Sequence, residues 1–276
     1  MLRPYRTACL VLLLASAPAF AGEYLGRLSW PEAATALSSK AVVIIPFAAG
    51  AKEHGLHLPL DTDAVIMNHL LDAAAAQADV VIAPPVVHGW FPAFRDYPGT
   101  EIADANVFQD YLKQIAQSLI KHGARRLAFL NMGIGKASGL PITIVARDIS
   151  ADHGVPALVV SWEDLETAEA TALQHQQRGG HADEIETSIM LYLQPDRVNL
   201  KLAVTDYRES LSTQSIGYRP GRFSRDHNDI HYSESGVYGD PRLATAETGR
   251  EVLAIMQRNW LQALEEFAQT PLQQSE

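Results

Sequence analysis

Two histidines and three carboxylates crowd into eleven residues, Glu53-His54-Gly55-Leu56-His57-Leu58-Pro59-Leu60-Asp61-Thr62-Asp63. Imidazole nitrogen and carboxylate oxygen are donors that zinc and manganese accept, and glycine and proline keep such a stretch in a loop. A solvated, charged loop has the same composition, so the cluster alone leaves both readings open. A second segment, Gly179-Gly180-His181-Ala182-Asp183-Glu184-Ile185-Glu186-Thr187-Ser188, opens a helix. Helical spacing sets His181 and Glu184 on nearby faces of the first turn and points Glu186 elsewhere. Its acids equally suit the positive end of the helix, with Asp183 as cap.

These segments sit in a regular alternation. Runs rich in valine and isoleucine at 41–46, 80–83, 127–130 and 157–160 lack polar alternation and read as strands buried on both faces. Helical patterns at 64–76, 107–122, 140–153 and 183–193 separate or follow them. His122-Gly123 and His153-Gly154 place glycine where a helix stops before a strand. The order predicts an α/β fold: a single three-layer α/β/α domain with a mostly parallel central sheet. In such a sheet, ligands bind beyond the carboxyl ends of the strands. His54 and His181 are therefore expected in one crevice there. Trp90, Phe91, Phe94 and Tyr97 follow the second strand, and Trp162, Glu163 and Asp164 end the fourth, so both groups can wall that crevice or belong to the core. His227 and His231 stand four apart among glycine, serine and asparagine, which reads as an exposed loop.

The chain begins with Arg3 and Arg6, an apolar run from Ala8 to Ala15, and Ala19-Phe20-Ala21. That is the pattern of a secretory signal over residues 1–21, too short to span a bilayer, with a mature terminus at Gly22 and a periplasmic or secreted product. Removing 21 of 276 residues leaves 255, a length common for one layered domain. The only cysteine, Cys9, lies in the signal, so the mature chain has neither thiol nor disulfide. It keeps 20 basic against 32 acidic residues, a formal charge of −12, which argues against nucleic acid or anionic membrane as partner. A small-molecule substrate is compatible with it. No repeat, low-complexity tract or Pro/Ser-rich linker asks for a second domain.

The run His54 to Asp63 and the run His181 to Ser188 resemble two segments of the creatininase family, Glu-x-His-Gly-x-His-Leu-Pro-(x)-x-Thr-Asp and His-Ala-Gly-Glu-x-Glu-Thr-Ser. Tyr97-Pro98-Gly99-Thr100 and Ser235-Gly236-Val237-Tyr238-Gly239-Asp240-Pro241 are similar to further family stretches, in the same order. The resemblance implies a metal-dependent amidohydrolase acting on a non-peptide carbon–nitrogen bond of a small or cyclic amide. It also implies a homo-oligomer, a hexamer in the family.

Family members hold two metals with five side chains, and this sequence departs at two of them. Lys52 stands at the place of the first-loop glutamate, with Glu53 one residue later, and Gly133 of Asn131-Met132-Gly133-Ile134-Gly135 stands at the place of a histidine. Both losses fall on the same metal. The resemblance therefore implies one divalent cation per chain, zinc or manganese, on His54, Asp63 and Glu184, with Lys52 able to supply the charge of the lost one. His181 is the expected proton carrier, with Glu53 and His57 as second choices. The contrasting reading is an exported, non-catalytic binder of a small solute.

Overall fold

The computed structural model describes residues 22–39, 41–133, 135–207 and 234–272, with the side chains of 135–137 excepted. His227, His231 and residues 1–21 lie outside them. Five strands form one parallel sheet: β1 (Glu23–Tyr24), β2 (Val42–Phe47), β3 (Val80–Ile82), β4 (Leu127–Asn131) and β5 (Ala157–Ser161), in the order β1-β3-β2-β4-β5. All residues of β2, β3 and β4 are buried, which is why their sequences run apolar without alternation. Alternate side chains nonetheless divide between two cores. Val42, Ile44, Ala128 and Leu130 face one, and Val43, Ile45, Phe47, Leu127 and Phe129 face the other.

The first core is completed by α2 (Thr62–Gln77), α7 (Glu184–Leu193) and α8 (Ala246–Ala268), through Ile66, Leu70, Ile185, Ile189, Leu253 and Trp260. The second is completed by α1 (Trp30–Ser38), α3 (Ala105–Lys121) and α4 (Gly135–His153). Short helices α5 (Trp162–Leu165) and α6 (Ala168–Thr171) follow β5. The predicted three-layer arrangement is therefore present. Gly123 and Gly154 both have positive φ, 114° and 64°, as expected of residues that end α3 and α4. The amphipathic α8, with its cap at Thr245, was not anticipated from the sequence pattern, nor were β1 and α1.

The connection from β2 leads through α2 to β3 on one side, whereas β4 lies on the other side of β2 and leads on to β5. Between β2 and β4 the strand order thus reverses, which opens a crevice at their carboxyl ends. The loop after β2 and Gly133 after β4 both arrive there.

Helices α7 and α8 cross at Gly249, where a methyl group would lie 1.9 Å from the Ser188 carbonyl oxygen. Backbone on both sides leaves no flexible atom to yield. Gly249→Ala is expected to lower unfolding free energy by about 3 kcal/mol, measured by denaturant titration. An unchanged midpoint would show that the helices can separate at no cost.

Candidate metal centre and its cavity

His54, Asp63 and Glu186 converge in the crevice, each buried, with one ligand atom apiece all within 4.8 Å of one another. His54 comes from the loop after β2, Asp63 from the first turn of α2, and Glu186 from the first turn of α7. His54 Nδ1 lies 2.8 Å from the Lys52 carbonyl oxygen. A carbonyl only accepts, so Nδ1 carries a proton and donates it there. In the neutral ring the Nε2 lone pair then faces Asp63 Oδ1 at 2.7 Å. Lone pair against carboxylate oxygen is unfavourable unless a positive species, a proton or a metal ion, stands between them. A backbone carbonyl that orients the far ring nitrogen is also the usual outer support of a metal-bound histidine. The donor set suits zinc or manganese.

Electrostatics point the same way. Burial pushes the Glu186 carboxyl up to about 8, with the Asp63 and Asp183 charges adding and Lys52 opposing. A divalent cation would relieve that penalty. Burial also acts to raise Asp63, but the Lys52 and His54 charges and hydrogen bonds outweigh it and hold the carboxyl well below the usual range.

Glu184, the expected third ligand, is not in this group. Its carboxylate accepts from the His175 and Gln176 backbone N–H groups, both at 2.7 Å, and pairs with His175 Nδ1 at 3.0 Å. Glu186, which helical spacing was expected to point elsewhere, stands in the group in its stead. Helical spacing from His181 does not apply, because α7 starts only at Glu184, with Asp183 as its cap through Ile185 and Glu186 N–H. Before the cap, Ala182 takes a left-handed conformation (φ 47°). This turn lets Glu186, three residues beyond the cap, fold back onto the Ala182 N–H and into the crevice.

His181 does reach the crevice. Its ring centroid is 5.2 Å from that of His54 and 4.5 Å from that of Phe94. Nε2 lies 3.0 Å from the Glu53 carbonyl oxygen and 3.1 Å from Glu53 Oε2, while Nδ1 is 3.8 Å from Glu186 Oε2. Backbone bonds between His181 and Tyr238 fix the segment to the 234–240 stretch. Glu53 also accepts from the Gly55 N–H. It is turned toward His181 and is not among the three converging ligands. His57 is buried elsewhere, its Nε2 2.8 Å from Thr187 Oγ1, and burial pushes the imidazole down to about 4. It ties the β2 loop to α7 and does not line the cavity.

Lys52 Nζ sits 2.9 Å from Asp63 Oδ2, both side chains buried, and 5.1 Å above the Phe94 ring. Asp63 thus faces His54 with one oxygen and an ammonium with the other. At Gly133 a Cβ would meet the Phe47 ring at 2.8 Å and the Phe91 ring at 3.4 Å, so those stacked aromatics fill the space a larger side chain would need. Of the expected aromatic wall, Phe94 lines the cavity, with Trp162 and Glu163 from the other expected group. Glu166 lines it too and was missed, although Trp162 and Glu166 show one-turn helical spacing in the sequence.

A family model for creatinine amidohydrolase matches residues 26–264. A mycofactocin precursor peptide peptidase of Mycolicibacterium smegmatis is 28% identical over 222 residues, 78% of this chain and 81% of the relative. A creatinine amidohydrolase of Pseudomonas putida is 24% identical over 197 residues, 66% of this chain and 75% of the relative. Among solved structures, a manganese form of creatininase superposes with TM-score 0.74 at 22% identity, covering 90% of this chain and 99% of that one. A zinc–zinc form of a creatininase variant does so with TM-score 0.74 at 21% identity, covering 90% and 98%. With the model matched from residue 26 to residue 264 and the fold shared over most of its length, this chain belongs to the creatininase family of amidohydrolases.

Proposed function

We propose that the chain hydrolyses a non-peptide carbon–nitrogen bond in a small amide or cyclic amide, with one divalent cation, zinc or manganese, held by His54, Asp63 and Glu186. The observation that carries this reading is the convergence of those three buried ligands with His54 already oriented by the Lys52 carbonyl. A cation bound there supplies a Lewis acid that polarises a carbonyl and lowers the pKa of a water.

The chain's own groups complete the chemistry. His181, on the cavity wall, is the proton carrier for the leaving nitrogen: Nε2–H is anchored by Glu53, and Nδ1 is turned to the side of Glu186. Lys52 holds Asp63 in place and contributes a fixed positive charge beside the cavity. Support for a single cation comes from that ammonium on Asp63 Oδ2 and from the aromatic rings packed under Gly133.

Metal analysis by mass spectrometry, after stripping and reloading with zinc or manganese, is expected to find close to one equivalent per chain. The loaded protein is expected to release amine from members of a panel of small linear and cyclic amides. Two tightly held equivalents would overturn the single-cation reading. No metal and no hydrolysis would leave the solute-binding reading in its place.

Export is proposed on the pattern of residues 1–21. Terminal sequencing from an exporting host is expected to begin at Gly22, and an intact Met1 would end the proposal. A homo-oligomer is proposed as well, with Val107 and Tyr111 of α3 and Leu140 of α4 exposed on adjoining helices. Among the described residues no helix is long and apolar enough to cross a membrane.

A further inference from the structure

The Lys52 side chain is only 3% exposed, and it lines the same cavity as His181 and Glu186. An ammonium carries three N–H donors and no acceptor. Among the described residues one side chain takes a hydrogen bond from it, Asp63 through Oδ2 at 2.9 Å. The Phe94 ring, its centroid 5.1 Å from Nζ, attracts the charge with its face but has no lone pair to offer. Glu186 feels the same charge, yet its carboxylate accepts from the Ala182 N–H. Two donors are therefore left for whatever enters the cavity, since a buried donor without an acceptor is costly. Water fills that place in the empty site, and a ligand oxygen displaces it.

The ammonium is held in a fixed position. The Lys52 backbone donates its N–H to the Leu60 carbonyl at 3.0 Å, and its own carbonyl accepts from His54 Nδ1 at 2.8 Å. Asp63 then ties down the far end of the side chain. Its Oδ1 faces His54 Nε2, where the three ligands converge, and its Oδ2 holds Nζ. One carboxylate thus sets the ammonium beside the proposed cation, on the wall shared with His181. Donors fixed in advance are those that best stabilise charge developing on an oxygen.

We infer that Lys52 is a catalytic residue: its free N–H groups donate to the carbonyl oxygen of the scissile amide and bind it more tightly as it becomes an oxyanion. This rests on the hydrolase reading for what reacts, and on the geometry of Lys52 for the donor. In the step, the oxygen of water bonds to the carbonyl carbon, the π pair moves onto the oxygen beside Nζ, and His181 takes the water proton. When that pair returns, the C–N bond breaks and its electrons leave with the nitrogen, which receives the proton from His181. A carboxylic acid and an amine result, and Lys52 keeps its own protons throughout.

Two measurements on the metal-loaded chain test this. The first is a crystal structure with methylphosphonamidate, whose tetrahedral anionic phosphorus copies the adduct of water with acetamide. A phosphoryl oxygen is expected within ~3.2 Å of Lys52 Nζ; oxygens all beyond that reach, or no binding at tens of millimolar, would overturn the inference. No variant is needed, so this result stands even where Lys52→Met does not fold. The second is calorimetric titration of the parent and Lys52→Met with methylphosphonamidate and with acetamide, metal content being checked in each sample. The substitution is expected to weaken the phosphonamidate at least ~10-fold and acetamide by less than ~3-fold, because a charge-assisted hydrogen bond is strongest to an anionic oxygen. Equal weakening of both ligands, or of neither, would reduce Lys52 to a structural role and sink the assignment. Failure of the hydrolase reading looks different: the Nζ contact and the selective loss remain, while the loaded parent cleaves no amide of the panel.

Discussion

Asp63→Asn is expected to strip the chain of its cation and to unsettle the fold in the same stroke. The side chain serves three partners: it is one of the three converging ligands, it pairs with Lys52 Nζ at 2.9 Å, and it faces His54 Nε2 at 2.7 Å. Losing a direct ligand should cost more than the ~10–100-fold in affinity typical of losing an outer support, so metal analysis should find the variant empty after dialysis. The substitution also leaves a buried ammonium uncompensated, which destabilises by about 3–5 kcal/mol. The pH dependence separates the two effects. In the native chain the Asp63 carboxyl is held below its unfolded value, so its contribution is complete above pH ~4 and is lost as pH falls through the folded value. The acid limb of a melting-temperature profile should therefore flatten in the variant. A variant that retains metal and melts like the parent would remove Asp63 from the centre of the site.

Lys52→Met carries the second large effect, with an opposite response to metal. Methionine fills much the same volume but leaves the Asp63 carboxylate buried beside Glu186 with no ammonium near either, again about 3–5 kcal/mol. For a domain of this length that corresponds to a fall in Tm of about 10 °C. Added zinc or manganese should then rescue the variant by a larger shift than it gives the parent, because the cation replaces the missing positive charge. Equal melting temperatures without metal would show that the ion pair contributes nothing. An equal metal-induced shift in both proteins would place Lys52 outside the field of the site.

The sheet and most of its helices were legible because their physics is local and periodic. A strand covered on both faces has to be apolar throughout, and β2, β3 and β4 are. The meeting of His54 with His181 was legible from topology alone, since an open parallel sheet gathers its loops at one edge. The choice between Glu184 and Glu186 was not. It depends on where α7 starts and on the positive φ of Ala182, and alanine is a residue whose type gives no sign of that conformation. Glu166 was missed for another reason: its interest comes from burial and from a cavity to which α5 and the Gly179–Glu186 stretch both contribute. Neither property is carried by the residues around it. The two-residue β1 was too short to leave a pattern.

The three converging side chains also bear on the order of events when the chain folds. His54 and Asp63 come early in the sequence and Glu186 well over a hundred residues later, so the unfolded chain holds no preformed site and closing that loop carries an entropic cost. A cation held by all three would be captured by a protein that has already folded. It then acts as a brake on escape and leaves the speed of arrival unchanged: metal should slow unfolding strongly while refolding proceeds at the same rate with or without it.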